Sequence, residues 1–135
     1  MTVGEIMTKN VITVDMDDTL NQIRELFNRY KFHHVLVLED NLLVGIISDR
    51  DVLEQISPHV DSVRADARAL NTLHKKAHQI MTRTIQSVTT DTSVEAASEI
   101  LLQESISCLP VLSASGGIDG IVTWRDVLRY YTTKG

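Results

Sequence analysis

Hydrophobic residues along the chain form helical stripes and short runs that occur in the same order twice. Apolar side chains at three-and-four spacing follow Thr19 and predict an amphipathic helix, and a matching stripe follows Ser93. Thr19 and Ser93 are suited to begin these helices, because a hydroxyl accepts hydrogen bonds from the unpaired amides of a first turn. The two stripes comprise Leu20, Ile23, Leu26, Phe27 and Tyr30, and then Val94, Ala97, Ile100 and Leu101.

One short apolar run precedes each stripe and two more follow it. Runs this short, rich in Val, Ile and Leu and bounded by turn residues, predict buried strands. A closing helix is predicted from Ser48 in the first half and from Thr123 in the second, and a short helical turn opens each half. The order β-α-β-β-α predicts an α+β fold with two three-stranded sheets. The predicted strands are residues 11–14, 35–38, 43–47, 85–88, 109–112 and 118–122, and the opening turns are residues 3–7 and 76–81.

The two halves are also similar residue by residue where they begin and end. Ile6-Met7-Thr8 returns as Ile80-Met81-Thr82, and the segment 45–53 returns as the segment 120–128. Such a duplication predicts two copies of one unit, related by a pseudo-twofold axis and forming two equivalent clefts. We place the first copy at residues 1–56 and the second at 76–135. The linker, residues 57–75, is expected to form a docked helix, because its apolar residues keep helical spacing as far as Ala77.

Composition narrows the class of protein. The 135 residues are 43% hydrophobic and 23% charged, which is ordinary for one compact domain or two half-domains. A net charge of −5 argues against a broad nucleic-acid interface. The single Cys108 excludes an internal disulfide framework and fits a reducing compartment. No secretory signal and no apolar run of membrane-spanning length is evident, so we expect a cytoplasmic protein without membrane association.

The repeated Ile-Met-Thr openings and the repeated Gly-x-x-[Ser/Thr]-x-Arg-Asp closings give the chain a family resemblance. It resembles a tandem pair of CBS domains (a Bateman module), in particular stand-alone bacterial CBS-pair proteins, over all but the linker. The resemblance implies a regulatory module, not an enzyme, that binds an adenosine-containing ligand between the copies and forms a homodimer. AMP, ADP or ATP is the expected ligand, with S-adenosylmethionine or NAD open, and no cofactor is required. The regulated partner is not identified by the sequence.

The starts of the two closing helices carry the residues of greatest interest. Ser48 with Asp51, and Thr123 with Asp126, each form a capping-box pattern, which explains both residue types with nothing bound. The resemblance implies a second role, in which the two carboxylates accept the hydroxyls of a ribose. A carboxylate suits a diol because it has two acceptor oxygens and no donor.

Arg50 and Arg125 favour the ligand-binding interpretation. Both are predicted to lie in a first helical turn, where the helix dipole disfavours a cation by a few tenths to about 1 kcal/mol. Finding this cost in both copies indicates an external partner, and a phosphate chain is the obvious one. The alternative is that each guanidinium points into water or pairs with an acid.

His33 and His34 stand where the resemblance implies basic residues that reach the ligand phosphates. With pKa values near 6.5, they would make phosphate binding depend on pH. The second copy has Ser107 and Cys108 at this point, so we expect the two clefts to differ in charge. The alternative is a partly buried histidine pair that hydrogen-bonds to the backbone.

The resemblance places the adenine base near Ile12 and Ile85, against main-chain groups and apolar side chains. Apolar strand residues are core by default, so this role depends on the resemblance alone. The family's usual proline in the second strand is present as Pro110 and is replaced by Leu36 in the first copy. This departure bears on whether the first cleft binds.

Two other functions stay open: a structural dimerisation module with degenerate clefts, and a phosphohydrolase acting on a nucleotide. The sequence shows no paired acid and base, and Cys108 is better explained as a small buried hydrophobe than as a nucleophile. His74 and His78 have a spacing that could hold a metal on a helix, but no third ligand is evident. We therefore expect no metal site.

Overall fold

The computed structural model describes residues 1–56, 67–83 and 86–134. None of the helices in these ranges has the length and apolar character needed to cross a membrane. One 3₁₀ turn spans Thr72–His74. In chain order the elements are α1 (Val3–Ile6), β1 (Thr13–Asp15), α2 (Leu20–Arg29), β2 (His34–Glu39), β3 (Leu42–Ser48), α3 (Asp49–Gln55), α4 (Ala67–Asn71), α5 (Ala77–Ile80), α6 (Val94–Glu104), β4 (Cys108–Leu112), β5 (Ile118–Thr123) and α7 (Trp124–Lys134).

The chain forms two compact units, and the segments that make up each unit are not those of one sequence repeat. The first unit combines Met1–Val11 with Ile85–Gly135, and the second unit comprises Ile12–Thr84. Each unit therefore takes its opening Ile-Met-Thr segment from one repeat and its strands and closing helix from the other. The repeat boundaries proposed above describe the sequence, and the compact units cross them.

The second unit is built on a three-stranded sheet of order β1-β2-β3. β1 pairs parallel with β2, which pairs antiparallel with β3. Asp40 and Asn41 at the tip of the β2–β3 hairpin have φ angles of 52° and 65°, a left-handed conformation that Asp and Asn tolerate well. The buried core of this unit consists of Val14, Leu20, Ile23, Val35, Val37, Ile47, Val52, Ala77, Ile80 and Met81.

The first unit differs from the prediction, because its sheet has two strands, β4 and β5. Of the predicted strand at residues 85–88, Ile85 lies outside the described residues, and Val88 forms a single parallel bridge with Val111. In the second unit the Leu36 amide extends the equivalent pairing by donating to the Ile12 carbonyl at 3.0 Å. Pro110 occupies the matching position in the first unit and has no amide hydrogen to donate, which accounts for the shorter pairing.

The predicted helix starts are confirmed. Thr19 accepts a hydrogen bond from the Gln22 amide, and the Gln22 side chain accepts one from the Thr19 amide, so the pair forms a full capping box. Ser93 accepts from the Ala96 amide at 3.0 Å. The apolar stripe of α2 is buried at its start, whereas Tyr30 lies beyond the helix end and is exposed.

The prediction of a linker helix is wrong at the C-terminal end of the linker. α4 ends at Asn71 and passes into the 3₁₀ turn, after which Lys75 and Lys76 are extended. Ala77 therefore begins a separate helix, and the predicted residue Val63 lies outside the described residues. The turn is docked against α2, because the Leu20 amide donates to the Lys75 carbonyl at 2.7 Å.

Each opening segment is joined to a sheet edge by a reciprocal pair of backbone hydrogen bonds. In the first unit Thr8 pairs with Ile121 of β5 at 2.7 and 2.9 Å, and in the second Thr82 pairs with Ile46 of β3 at 2.9 and 3.1 Å. The repeated motifs at the beginnings and ends of the sequence copies are therefore in direct contact within each unit. This contact fixes the position of each opening threonine beside the start of a closing helix.

Candidate functional site

The start of α3 in the second unit is a capping box with spare hydrogen-bonding capacity. Ser48 Oγ accepts from the Asp51 amide at 3.1 Å, and Asp51 Oδ2 accepts from the Ser48 amide at 2.8 Å. Asp51 is half-buried. Within the described part of the chain its second oxygen, Oδ1, has no hydrogen-bond partner, so this carboxylate has an acceptor available beyond its role in capping.

The start of α7 in the first unit repeats this capping box, but here the carboxylate has more partners. Asp126 Oδ2 accepts from the amide and the hydroxyl of Thr123 at 3.0 and 3.2 Å. The Thr8 hydroxyl lies 3.1 Å from Oδ1 and 3.2 Å from Oδ2, and Arg129 Nη1 is 3.8 Å from Oδ1. Asp126 is only 4% exposed. The sequence patterns did not single out Thr8 as a partner of Asp126, although it belongs to the repeated Ile-Met-Thr segment.

Arg50 and Arg125 lie where they were predicted, as the second residues of α3 and α7. Both side chains are exposed. Among the residues that the structure describes, neither guanidinium forms an ion pair with a carboxylate. The local acids thus do not account for these two cations, and their role toward a ligand stays a prediction.

His33 and His34 lie beside the start of α3 and have different surroundings. His33 is exposed, its Nδ1 is 2.8 Å from Asp49 Oδ2, and its carbonyl accepts from the Asp49 amide at 2.9 Å. His34 is half-buried and faces Ser48 across the β2–β3 pairing. Burial lowers the pKa of His34, outweighing the nearby carboxylates of Asp49 and Asp51 that raise it. His34 is therefore a neutral hydrogen-bonding group at neutral pH.

The matching position in the first unit has no charge. The Trp124 amide donates to the Ser107 carbonyl at 3.2 Å, as Asp49 does to His33, and the Trp124 indole donates to the Ile106 carbonyl at 3.0 Å. Cys108 is buried, and burial raises the pKa of its thiol to about 12. The thiol thus stays protonated at neutral pH, which fits the predicted buried hydrophobe. The second unit therefore carries two histidines at a position where the first unit has the uncharged residues Ser107 and Cys108.

The residues predicted to contact the base are described in part. The Ile12 carbonyl accepts the Leu36 amide, and the Ile12 side chain packs at the edge of the core. Ile85 lies outside the described residues.

His74 and His78 do not share a helix, since one ends the 3₁₀ turn and the other belongs to α5. No group of three or more His, Cys, Asp or Glu suited to a metal occurs in the described ranges.

The fold and these paired helix starts define a member of a known family. The CBS domain family model matches residues 3–58 and 77–133, so the chain belongs to the CBS domain family and carries the domain twice. The predicted α+β class and the tandem CBS pair are confirmed.

Relatives of known sequence differ in how much of their length this chain covers. A CBS domain-containing protein of Dictyostelium discoideum is 30% identical over 128 residues, 93% of this chain and 88% of that protein. Inosine-5'-monophosphate dehydrogenase of Methanocaldococcus jannaschii is 29% identical over 93% of this chain, and homoserine O-acetyltransferase of Methanosarcina acetivorans is 30% identical over 93%. The chain spans only 22% and 21% of the length of these two proteins.

Two solved structures are similar over nearly their whole length. CBSX2 in complex with AMP is 29% identical, with a TM-score of 0.80, over 98% of this chain and 97% of that one. The CBS domain pair of protein MJ0100, in complex with 5'-methylthioadenosine and S-adenosyl-L-methionine, has a TM-score of 0.80 at 24% identity. The similarity extends over 100% of this chain and 98% of the MJ0100 chain, and it shows that the two share a fold.

Proposed function

We propose that this CBS pair binds an adenosine-containing nucleotide and acts as a regulatory module, with no catalytic step. AMP, ADP and ATP are the first ligands to consider, and S-adenosylmethionine and NAD share the adenosine that the site would recognise. The AMP complex of CBSX2, at 29% identity over almost the whole chain, supports this ligand class. The proposal includes a cytoplasmic location, which a free Cys108 thiol fits chemically.

The availability of Asp51 Oδ1 is the observation that carries the proposal. Among the residues that the structure describes, only Oδ2 of Asp51 is hydrogen-bonded, so Oδ1 is left to accept hydrogen bonds from a ribose diol. Half-burial strengthens such bonds relative to those formed in bulk water, and a charged acceptor strengthens them further. Asp126 is the corresponding residue of the first unit.

The phosphate groups of the ligand would be bound by Arg50, with Arg125 as its counterpart in the other unit. Each guanidinium is exposed beside the carboxylate assigned to the ribose, and it offers paired donors that match phosphate oxygens. His34 would contribute a hydrogen bond in its neutral form, and His33 is already held by Asp49. The ribose and phosphate groups of one nucleotide would thus meet adjacent residues of the same helix.

Regulation requires that ligand binding favour one conformation that a partner recognises. We assign this role to the closing helices, because they carry the ligand-binding residues and also expose apolar side chains. On α7, Trp124, Leu128 and Tyr131 are 37, 57 and 44% exposed at helical spacing. These three exposed apolar side chains support a homodimer or another protein partner.

A thermal-shift panel of AMP, ATP, S-adenosylmethionine and NAD tests the proposal, because a ligand that binds only the folded state raises the melting temperature. We expect at least one of these ligands to stabilise the wild-type chain and Asp51→Asn to lose that stabilisation. Asp49→Asn is the matched control, since it makes the same change in charge two residues away. A panel without any shift would contradict the proposal and favour a purely structural module, whereas equal shifts in both variants would contradict the role assigned to Asp51.

A further inference from the structure

We infer that the two units bind nucleotide unequally, because the Thr8 hydroxyl closes the Asp126 carboxylate to a ribose while the Asp51 carboxylate stays open. The inference rests on the proposed function and adds to it a site preference and the residue that sets it. It assigns tight binding to the second unit and weak binding to the first.

Three donors within the first unit already occupy most acceptor positions of Asp126. One carboxylate has about four lone-pair positions, and a ribose diol needs two of them. Thr123 supplies two donors to Oδ2, and the Thr8 hydroxyl bridges both oxygens at 3.1 and 3.2 Å. With 4% exposure, Asp126 offers little surface to a new partner. A diol at this carboxylate must therefore displace the Thr8 hydroxyl.

The backbone of Thr8 has little freedom to move away. Its amide and carbonyl are both hydrogen-bonded to Ile121, at 2.7 and 2.9 Å. The Thr8 carbonyl also lies so close to Gly120 that a Cβ atom there would be 2.6 Å from it. Release of the carboxylate thus requires rotation of the Thr8 side chain about χ1, which breaks a hydrogen bond to a charged group.

The second unit has the same backbone arrangement without this closure. Thr82 pairs with Ile46 as Thr8 pairs with Ile121, and the packing of its segment against Gly45 is also close. The Thr82 side chain, however, is exposed, and in the described ranges it makes no hydrogen bond to Asp51. The same residue type therefore blocks one carboxylate and leaves the other accessible.

Calorimetric titration with AMP tests the inference. We expect wild type to bind one AMP per chain tightly, with any second site at least about tenfold weaker, the scale of one hydrogen bond to a charged group. Thr8→Ala removes the donor together with the branch that covers the carboxylate and should bring the second site to within a few-fold of the first. Thr8→Ser keeps the donor and should match wild type, as should Thr82→Val.

Two equivalent sites in wild type would overturn the inference, and so would a folded Thr8→Ala variant whose second site is unchanged or weaker. If melting curves show that the alanine variant is not folded, Thr8→Gly, which also lacks the hydroxyl and the branch, replaces it. Asp51→Asn separates this inference from the proposed function. If wild type binds no AMP, ATP or S-adenosylmethionine, the proposed function fails; if Asp51→Asn abolishes tight binding and the Thr8 variants change nothing, only the inference fails.

Discussion

Gly120 and Thr8 are in contact through the backbone, and a Cβ atom on Gly120 would lie 2.6 Å from the Thr8 carbonyl oxygen. At the equivalent glycine of the other unit, Gly45, a Cβ atom would overlap the Met81 side chain. Neither glycine can accept a side chain without movement of its neighbour. The two glycines differ in what has to move: the hydrogen-bonded Thr8 backbone at Gly120, and the Met81 side chain, from its Cβ outward, at Gly45.

Gly120→Ala should therefore lower the free energy of unfolding more than Gly45→Ala does. Overpacking of this kind costs about 1–3 kcal/mol, and we expect Gly120→Ala at the upper end because the backbone pairing of Thr8 must shift. Urea denaturation of the two variants measures the difference. An equal cost, or a larger one for Gly45→Ala, would show that the opening segments are not held as described.

His34 should make the fold less stable in mild acid. Burial lowers its pKa in the folded state below the ordinary 6.5, so the unfolded chain takes up the proton first as the pH falls. The contribution of His34 is present in full above pH 6.5 and is lost progressively below it. Asp49 and Asp51 raise this pKa and so moderate the effect, whereas His33 lowers it further and adds to the effect.

Melting temperatures measured from pH 7 to about pH 5, above the range of most carboxylates, would show this loss. His34→Gln, which does not titrate, should flatten the profile relative to wild type. His74→Gln, a change at an exposed histidine, should leave the profile unaltered. A His34→Gln profile as steep as that of wild type would contradict the assignment.

The exposed apolar side chains of Trp124, Leu128 and Tyr131 on α7 predict that Leu128→Lys weakens self-association. Leu128 is 57% exposed between Trp124 and Tyr131, and a charge there would be poorly tolerated in an apolar interface. Leu42 is also 57% exposed but lies on β3, so Leu42→Lys is the matched control. Light scattering after size exclusion should give a dimer for wild type and for Leu42→Lys, and a smaller mass for Leu128→Lys. A dimer that persists in Leu128→Lys would place the interface elsewhere.

Local patterns in the sequence were sufficient to predict most helices and strands. Short Val, Ile and Leu runs, and hydroxyl residues before apolar stripes, reflect interactions within a few residues, as the caps at Thr19, Ser48 and Ser93 confirm. The break at Lys75 and Lys76 was not predictable in this way. Neither residue is a helix breaker, and the extended backbone there is fixed by docking against α2.

The exchange of opening segments could not be predicted from repeat boundaries either. The motifs themselves were recognised, but pairing of Thr8 with Ile121 depends on contacts between distant parts of the chain. The inequality of the two carboxylates follows from the same contact, since Asp51 and Asp126 stand in nearly identical motifs. The Thr8 hydroxyl, which reaches Asp126 from 118 residues away, is one difference between them that no local motif reveals.

Recognition of a ribose diol by a helix-start carboxylate is the central claim, and titration with a ligand lacking the diol tests it most directly. Calorimetry should compare AMP with 2',3'-dideoxyadenosine monophosphate, which keeps the base and the phosphate. We predict that the dideoxy ligand binds at least about tenfold more weakly, because Asp51 then loses its donors. Equal affinities for the two ligands would contradict the claim.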